Sequence, residues 1–378
     1  MEQRGTIAWI TVFPHTLYGS FFASFAKQYS SPALTMVLAN RYRGKGFVPA
    51  GHGVVYAEYA QPIRVTGLGY FKNMDATLGS LRPSAIIVNL YYSLPALQAY
   101  RFAKKEGIPF YISAEEDGYR NMWQRIFFPL WDVVIGRRIL ASAAGILCWS
   151  KATCLFMGAR VADKGKIIYF PACIDTAEIL PAEGRERSPE LRIILPARLV
   201  PVKNHELLLE ALRIVRDTHH VPVQLTLLGD GPLRGSIERS IQRYELDSVV
   251  DMRGAVGRDE VLSSYASHDV LVLPGRHETI GLVVLEAMAR GIPVIISDTL
   301  GARDFIEDGV SGLLFTSGNA EDLAAKIAMM AGADLRSIGA QARLRVQQEF
   351  DTKKQSQVLY KTLLGDAGGT ILKERKGN

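Results

Sequence analysis

Cysteine is nearly absent: among 378 residues only Cys148, Cys154 and Cys173 occur. Three cannot all pair within one chain, and none forms a C-x-x-C. A disulfide framework and a structural zinc site are therefore set aside, and a reducing, cytoplasmic setting is expected. Long apolar runs are missing too. The stretch Thr6–Phe13 has the length of a strand, far short of the about 20 residues that a spanning helix needs, and no signal-peptide layout is evident around it. No two aspartates stand two residues apart, so a D-x-D that would chelate Mg2+ or Mn2+ on a diphosphate does not occur. H-E-x-x-H and G-x-S-x-G are absent as well. His219-His220 next to Pro222 reads as a loop pair, not a ligand pair. None of these patterns points to a metal or to a bound cofactor.

What is present is an ordinary globular composition, with 48% apolar and 22% charged residues. The length favours two domains over one. The net charge of +6 is unevenly spread. Residues 1–180 hold 19 Lys and Arg against 11 Asp and Glu, and the remainder holds 25 against 27. A basic first half suits a membrane surface or an anionic ligand, or is simply solvated charge.

Apolar runs alternate with helical patterns along the whole chain. Strands are expected at Ile7–Phe13, Leu34–Ala39, Ala85–Leu90, Phe110–Ser113 and Gly145–Trp149, with helices such as Phe21–Tyr29 and Pro95–Glu106 between them. Pro, Gly and mixed charge at 181–189 mark a linker. The alternation restarts with strands at Leu191–Pro196, Val223–Leu228, Val249–Met252, Val270–Pro274, Pro293–Ser297 and Gly312–Phe315. Its helices are His205–Thr218, Leu233–Glu245, Arg258–Ala266, Leu282–Arg290, Ala320–Met330, Asp334–Phe350 and Ser356–Leu364. This is the pattern of βαβ units with parallel sheets. Two Rossmann-like domains are expected, 1–175 and 190–350, with ligand bound at strand carboxyl ends in the cleft between them.

Three constellations carry chemistry. Glu278-Thr-Ile-Gly-Leu-Val-Val-Leu-Glu286 follows a strand and opens a helix near Gly281. Glycine lets the backbone approach a ligand, and the N–H groups of a first helical turn suit a diphosphate. Glu286 could accept ribose hydroxyls. In the plainer reading the two glutamates are surface residues around a core run. Ala197-Arg198-Leu-Val-Pro-Val-Lys203 places two cations at a strand end, where they could clamp a pyrophosphate and neutralise charge on a leaving nucleoside diphosphate, or be solvated loop charges. His205 reads as a helix-start residue. Leu227-Leu228-Gly229-Asp230-Gly231-Pro232-Leu233-Arg234-Gly235 has Arg234 where a dinucleotide fingerprint needs glycine, and Gly67-Leu-Gly69 has Lys72, so an oxidoreductase is discounted.

These residues resemble a known family. PGRHETIGLVVLEAMARGIPVIISDTLGARDFIEDGVSGLLF, within Leu273–Phe315, resembles the donor site of family-four glycosyltransferases of the GT-B fold. ARLVPVKN resembles their Arg-x4-Lys phosphate clamp, LLGDGPLRG their glycine turn, and Phe170-Pro-Ala-Cys-Ile-Asp175 the end of their first domain. Phe13-Pro14-His15 near a loop with Gly19, Tyr91-Tyr92-Ser93 and Glu115-Glu116-Asp117-Gly118 look like bacterial members that build surface polysaccharides. The resemblance implies a hexosyltransferase with α/β GT-B architecture that retains anomeric configuration without metal. It implies that Arg198 and Lys203 bind the diphosphate, Glu286 the ribose, and Glu278 with Thr279, Ile280, Gly281 and Leu282 the donor sugar, with Gly19 on the donor side. His15, Glu115, Glu116 and Asp117 are candidate acceptor or sugar contacts; the three acids follow a strand and could face the cleft, or merely cap a helix. The histidine many relatives carry in the first domain is missing at Ser113-Ala114-Glu115. The closing segment 351–378 would pack back on the first domain.

Partners follow from this reading: a UDP- or GDP-sugar donor, a glycan or lipid-linked acceptor, and no nucleic acid. The segment 119–138 mixes Trp123, Phe127, Phe128 and Trp131 with Arg125, Arg137 and Arg138. It could lie at the inner face of the membrane, or its aromatics could be core. A nucleotide-sugar epimerase of the same fold and a non-catalytic nucleotide-sugar-binding protein remain as alternatives.

Overall fold

The computed structural model describes residues 6–11, 16–29, 33–39, 53–60, 69–115, 129–181 and 188–363. The chain divides into two units, one running to Asp175 and resuming at Thr352, the other Thr176–Asp351.

In the first unit the strands are β1 (Thr6–Thr11), β2 (Ala33–Ala39), β3 (Gly53–Ala57), the short pair β4 (Tyr59–Ala60) and β5 (Tyr70–Phe71), β6 (Ala85–Asn89), β7 (Phe110–Ala114), β8 (Gly145–Cys148) and β9 (Ile167–Tyr169). The helices are α1 (Thr16–Gln28), α2 (Met74–Leu81), α3 (Leu94–Glu106), α4 (Arg137–Ser142) and α5 (Lys151–Gly158). Seven strands form one sheet in the order β3-β2-β1-β6-β7-β8-β9, every pair parallel. Strands buried on both faces read as unbroken apolar runs, as in Ala85-Ile-Ile-Val-Asn89, where all five residues are buried. Helix starts follow side-chain chemistry. The Ser93 hydroxyl accepts from Ala96 N–H at the head of α3, with Pro95 in its first turn, and Ser150 does the same for α5 through Thr153 N–H.

The second unit holds β10 (Leu191–Pro196), β11 (Val223–Leu228), β12 (Val250–Gly254), β13 (Val270–Leu273), β14 (Val294–Ser297) and β15 (Leu313–Phe315). Its helices are α6 (His205–Ile214), α7 (Arg234–Arg243), α8 (Arg258–Ser264), α9 (Leu282–Ala289), α10 (Ala320–Gly332) and α11 (Leu335–Glu349). The sheet runs β12-β11-β10-β13-β14-β15, all parallel. Strand order therefore reverses between β10 and β13. At that switch point the connections leave to opposite faces and the strand ends open a crevice.

The chain then returns to the first unit as α12 (Thr352–Leu363). Tyr360 stacks on Tyr29 with ring centroids 3.9 Å apart, and the Tyr111 hydroxyl donates to the Thr362 carbonyl at 3.3 Å. Thr176 to Pro181 belongs with the second unit: Ile179 is buried, and its carbonyl accepts from Arg343.

Several elements escape the sequence pattern. β3 and β9 are half-exposed edge strands whose apolar runs, Gly53-Val-Val-Tyr-Ala57 and Ile167-Ile-Tyr169, are short. α1 starts at Thr16, so Gly19 lies in the second turn of a helix and not in a loop. Leu17, Phe21 and Phe25 continue the four-residue helical spacing backwards. Trp131 is buried in the core of the first unit and is not an interfacial aromatic. The rest of that expected amphipathic stretch, 119–128, lies outside the described residues, as do His15, Glu116 and Asp117.

The turn after β11 shows why glycine stands there. Gly229 has φ of 149°, and a Cβ on it would lie 2.1 Å from the Ala197 carbonyl oxygen. Gly229→Ala is expected to cost about 2 kcal/mol or more of stability through this clash. Chemical denaturation should show a lower midpoint with an unchanged slope.

Candidate functional site

Three loops meet at the carboxyl end of the second sheet. The first leaves β10, carries Arg198 and makes a tight turn at Pro201–Lys203 before α6. The second leaves β13 and carries Gly275 to Gly281. The third follows β14 and turns at Gly301–Phe305. Backbone bonds stitch them together. Arg276 N–H donates to the Val202 carbonyl at 2.9 Å, and Gly301 N–H donates to the Glu278 carbonyl at 2.7 Å. The glycine turn after β11 joins in through Leu199, whose N–H donates to the Asp230 carbonyl at 3.1 Å and whose carbonyl accepts from Leu233 N–H at 3.1 Å.

This stitching brings Lys203 and Glu278 together. Their side chains form an ion pair and are only 16% and 26% exposed. The sequence gives each a separate role, and the pairing of residues 75 positions apart has no local signal. Arg198 is exposed and makes no ion pair among the described residues.

Gly281 caps α9 with φ of 65°, a left-handed conformation that glycine adopts without strain. A Cβ there would lie 2.6 Å from that of Ala302. Beyond it, the N–H groups of Leu282 and Val283 have no acceptor among the described residues, so the start of α9 presents free donors. Thr279 and Ile280 are half-buried in the same loop, and Thr279 Oγ1 lies 3.4 Å from His277 Nε2.

Glu286 sits one turn into α9 and is 5% exposed. Burial raises its pKa, opposed by Arg258, whose Nε donates to Glu286 Oε1 at 2.9 Å. Arg258 opens α8, and nothing in the sequence links it to a glutamate 28 residues on. The Tyr265 hydroxyl nearby donates to the Val283 carbonyl at 3.2 Å. The three-residue gap between Glu278 and the start of α9, followed by an all-apolar helix, makes Glu286 the one charged side chain among six consecutive buried residues, 284–289.

In the first unit, Glu115 lies just beyond β7. It accepts from Asn89 Nδ2 at 3.0 Å, and Asn89 Oδ1 accepts from Trp9 Nε1 at 2.7 Å. Asn89 ends β6, the neighbour of β1 where that sheet's own order reverses. Leu90 follows with φ of 63°, a strained value for a leucine. The sequence points to Glu115 but not to Asn89.

Residues 177–335 match the family described as Glycosyl transferases group 1. That match lies within the second unit. A sulfoquinovosyl transferase of Arabidopsis thaliana is 28% identical over 286 residues, 71% of this chain and 51% of the relative. An amylovoran biosynthesis glycosyltransferase of Erwinia amylovora is 31% identical over 169 residues, 43% of this chain and 41% of the relative. The chain thus spans about half the length of the curated relatives it matches. The crystal structure of Anabaena HepE in complex with UDP and glucose superposes with a TM-score of 0.71 at 17% identity, covering 96% of this chain and 100% of that one. The fold is that of the GT-B glycosyltransferases.

His205, the first residue of α6, is buried, and among the described residues neither ring nitrogen makes a hydrogen bond of normal geometry. Burial lowers its pKa to about 4; Lys203 acts in the same direction and the Ala197 carbonyl against it. Its folded value lies below the unfolded one, so the unfolded state binds the extra proton between them. Stability is therefore full above about pH 6.5 and falls as pH drops towards 4, by on the order of 3 kcal/mol from this group. Urea titrations of the wild type and His205→Leu should show a shallower pH dependence in the variant.

Proposed function

We propose that the chain is a retaining glycosyltransferase that moves a sugar from a UDP- or GDP-sugar to a glycan or lipid-linked glycan, in the making of a surface polysaccharide. One observation carries this reading: Lys203 and Glu278 meet at the switch point of the second sheet, between the Arg198 loop and the free amides that open α9. Arg198, Lys203 and those amides hold the diphosphate and stabilise its charge as it leaves. Glu278, with the backbone from Thr279 to Leu282, addresses the donor sugar, and Glu286 accepts from the ribose. The UDP and glucose in the Anabaena neighbour and the polysaccharide product in the Erwinia relative's name support this assignment.

The chemistry is a same-face displacement. The bond from the anomeric carbon to the diphosphate oxygen breaks through an oxocarbenium-like state. The acceptor oxygen bonds to the same face of that carbon. Its proton passes to the departing diphosphate oxygen, so no protein nucleophile is consumed. Cations and amides carry the developing charge, and the reading assigns no metal to the step.

Incubation with UDP- and GDP-sugars tests it. Transfer should need an acceptor and continue in EDTA. Epimerised donor without acceptor would instead mark an isomerase, and binding without turnover a non-catalytic binder. Glu278→Gln is expected to lower kcat by about 100-fold or more, and Arg198→Ala to weaken diphosphate binding by about tenfold. Turnover at the wild-type rate by Glu278→Gln would remove that residue from the site.

The reading extends to a membrane surface. The helical segment from 129 runs through a wide turn at Asp132–Gly136 into α4. Leu130, Val133 and Val134 are 63%, 70% and 53% exposed, and Arg137 and Arg138 continue the same helical face. Apolar side chains followed by arginines suit insertion among anionic headgroups. Among the described residues no helix is long and apolar enough to cross a membrane, so contact would be peripheral. The protein should sediment with vesicles containing phosphatidylglycerol, more than with phosphatidylcholine alone, and V133D/V134D should abolish this. Equal sedimentation of that variant would count against the assignment.

A further inference from the structure

The Arg258–Glu286 pair is not explained by packing. A glutamate at 5% exposure inside an otherwise apolar helix is a costly group to keep. Its Oε1 accepts from Arg258 Nε, and among the described residues no hydrogen bond engages its Oε2. The arginine side chain is 54% exposed while the carboxylate is 7% exposed, so the guanidinium lies over the acid at the surface.

The other charged or titratable groups around Glu286 do not serve it. Tyr265, from the turn after α8, spends its hydroxyl on the Val283 carbonyl. Arg290 caps the end of α9 and forms no ion pair among the described residues. Arg343, from α11, donates to the carbonyls of Ala289 and Ile179. Arg258 is thus the one cation bonded to the carboxylate among the described residues.

We propose that Arg258 is a positioning residue for the nucleotide ribose: it fixes one oxygen of Glu286 and keeps the acid ionised, leaving Oε2 to accept from the ribose hydroxyls. This rests on the donor-site reading above. A carboxylate accepts two vicinal hydroxyls only in its charged form, because a protonated acid presents a donor on one oxygen. Burial pushes Glu286 towards protonation, and Arg258 opposes that push through its charge and its hydrogen bond. The arginine itself need not touch the ligand.

The test is calorimetric titration of UDP and GDP, each beside its 2′-deoxy counterpart, from pH 5.5 to 8.5, on the wild type, R258Q, R258K and E286Q. The wild type should bind the ribose form of one diphosphate more tightly than the deoxy form. R258Q should bind it about tenfold more weakly at pH 7. It should regain affinity as the pH rises and Glu286 ionises, while binding of the deoxy form barely changes. R258K, which keeps the charge without the planar fork, should fall between. E286Q should lose the discrimination at every pH, and adding R258Q to it should cost nothing further. An R258Q variant with wild-type affinity and discrimination across the range overturns the inference while the donor reading stands. A wild type that binds neither diphosphate overturns the donor reading and this assignment with it.

Discussion

Parallel pairing of β10 with β13 is the constraint on which the candidate site depends. These strands are far apart in sequence, yet Ile193 and Ile194 align with Val270 and Leu271. Because the chain leaves them towards opposite faces, their carboxyl ends part and the loops beyond them can reach a common ligand. The loops are then tied by backbone bonds, from Arg276 to Val202 and from Gly301 to Glu278, with the Lys203–Glu278 ion pair beside them. Each such bond adds only about 1 kcal/mol net, but together they remove the freedom of the loops before any ligand arrives.

The first unit repeats the arrangement with different residues. Its order reverses between β1 and β6, and there Trp9, Asn89 and Glu115 form a hydrogen-bonded chain across three adjacent strands. Asn89 is buried, so its amide is spent on orienting the carboxylate, while Glu115 itself is half-exposed. A carboxylate held in this way suits hydroxyl groups of a sugar, whereas the second unit's cations suit phosphate. The charge imbalance between the two halves of the sequence has a counterpart in surface residues such as Arg137 and Arg138.

Most strands of both sheets were legible because parallel strands covered on both faces must be apolar throughout. Leu191–Pro196 and Val223–Leu228 begin and end where the runs do. The edge strands β3 and β9 were not legible, since a run of three or four apolar residues does not by itself distinguish a strand from a buried helical segment. Trp131 shows the converse, because its aromatic and basic neighbours look interfacial while its own ring is core. Site residues on one continuous motif, such as Glu278, Gly281 and Glu286, were visible together. The pairs Lys203–Glu278 and Arg258–Glu286 were not, because side-chain partners brought together by sheet topology leave no mark in local spacing.

The Lys203–Glu278 pair also bears on how an anion would enter. A lysine held without a counter-ion at 16% exposure would carry an uncompensated charge, and burial of that kind is expensive. Glu278 supplies the counter-ion. On the proposed donor reading, a diphosphate would bring more negative charge than one carboxylate and offer several oxygens to the same ammonium, and so would compete for Lys203. Glu278 would then lose its partner while its backbone stays pinned by Gly301. Its oxygens would be left as acceptors, and the hydroxyls of a sugar attached to that diphosphate would be donors at hand. On that reading one ion pair would link recognition of the phosphate to recognition of the sugar without a loop having to move.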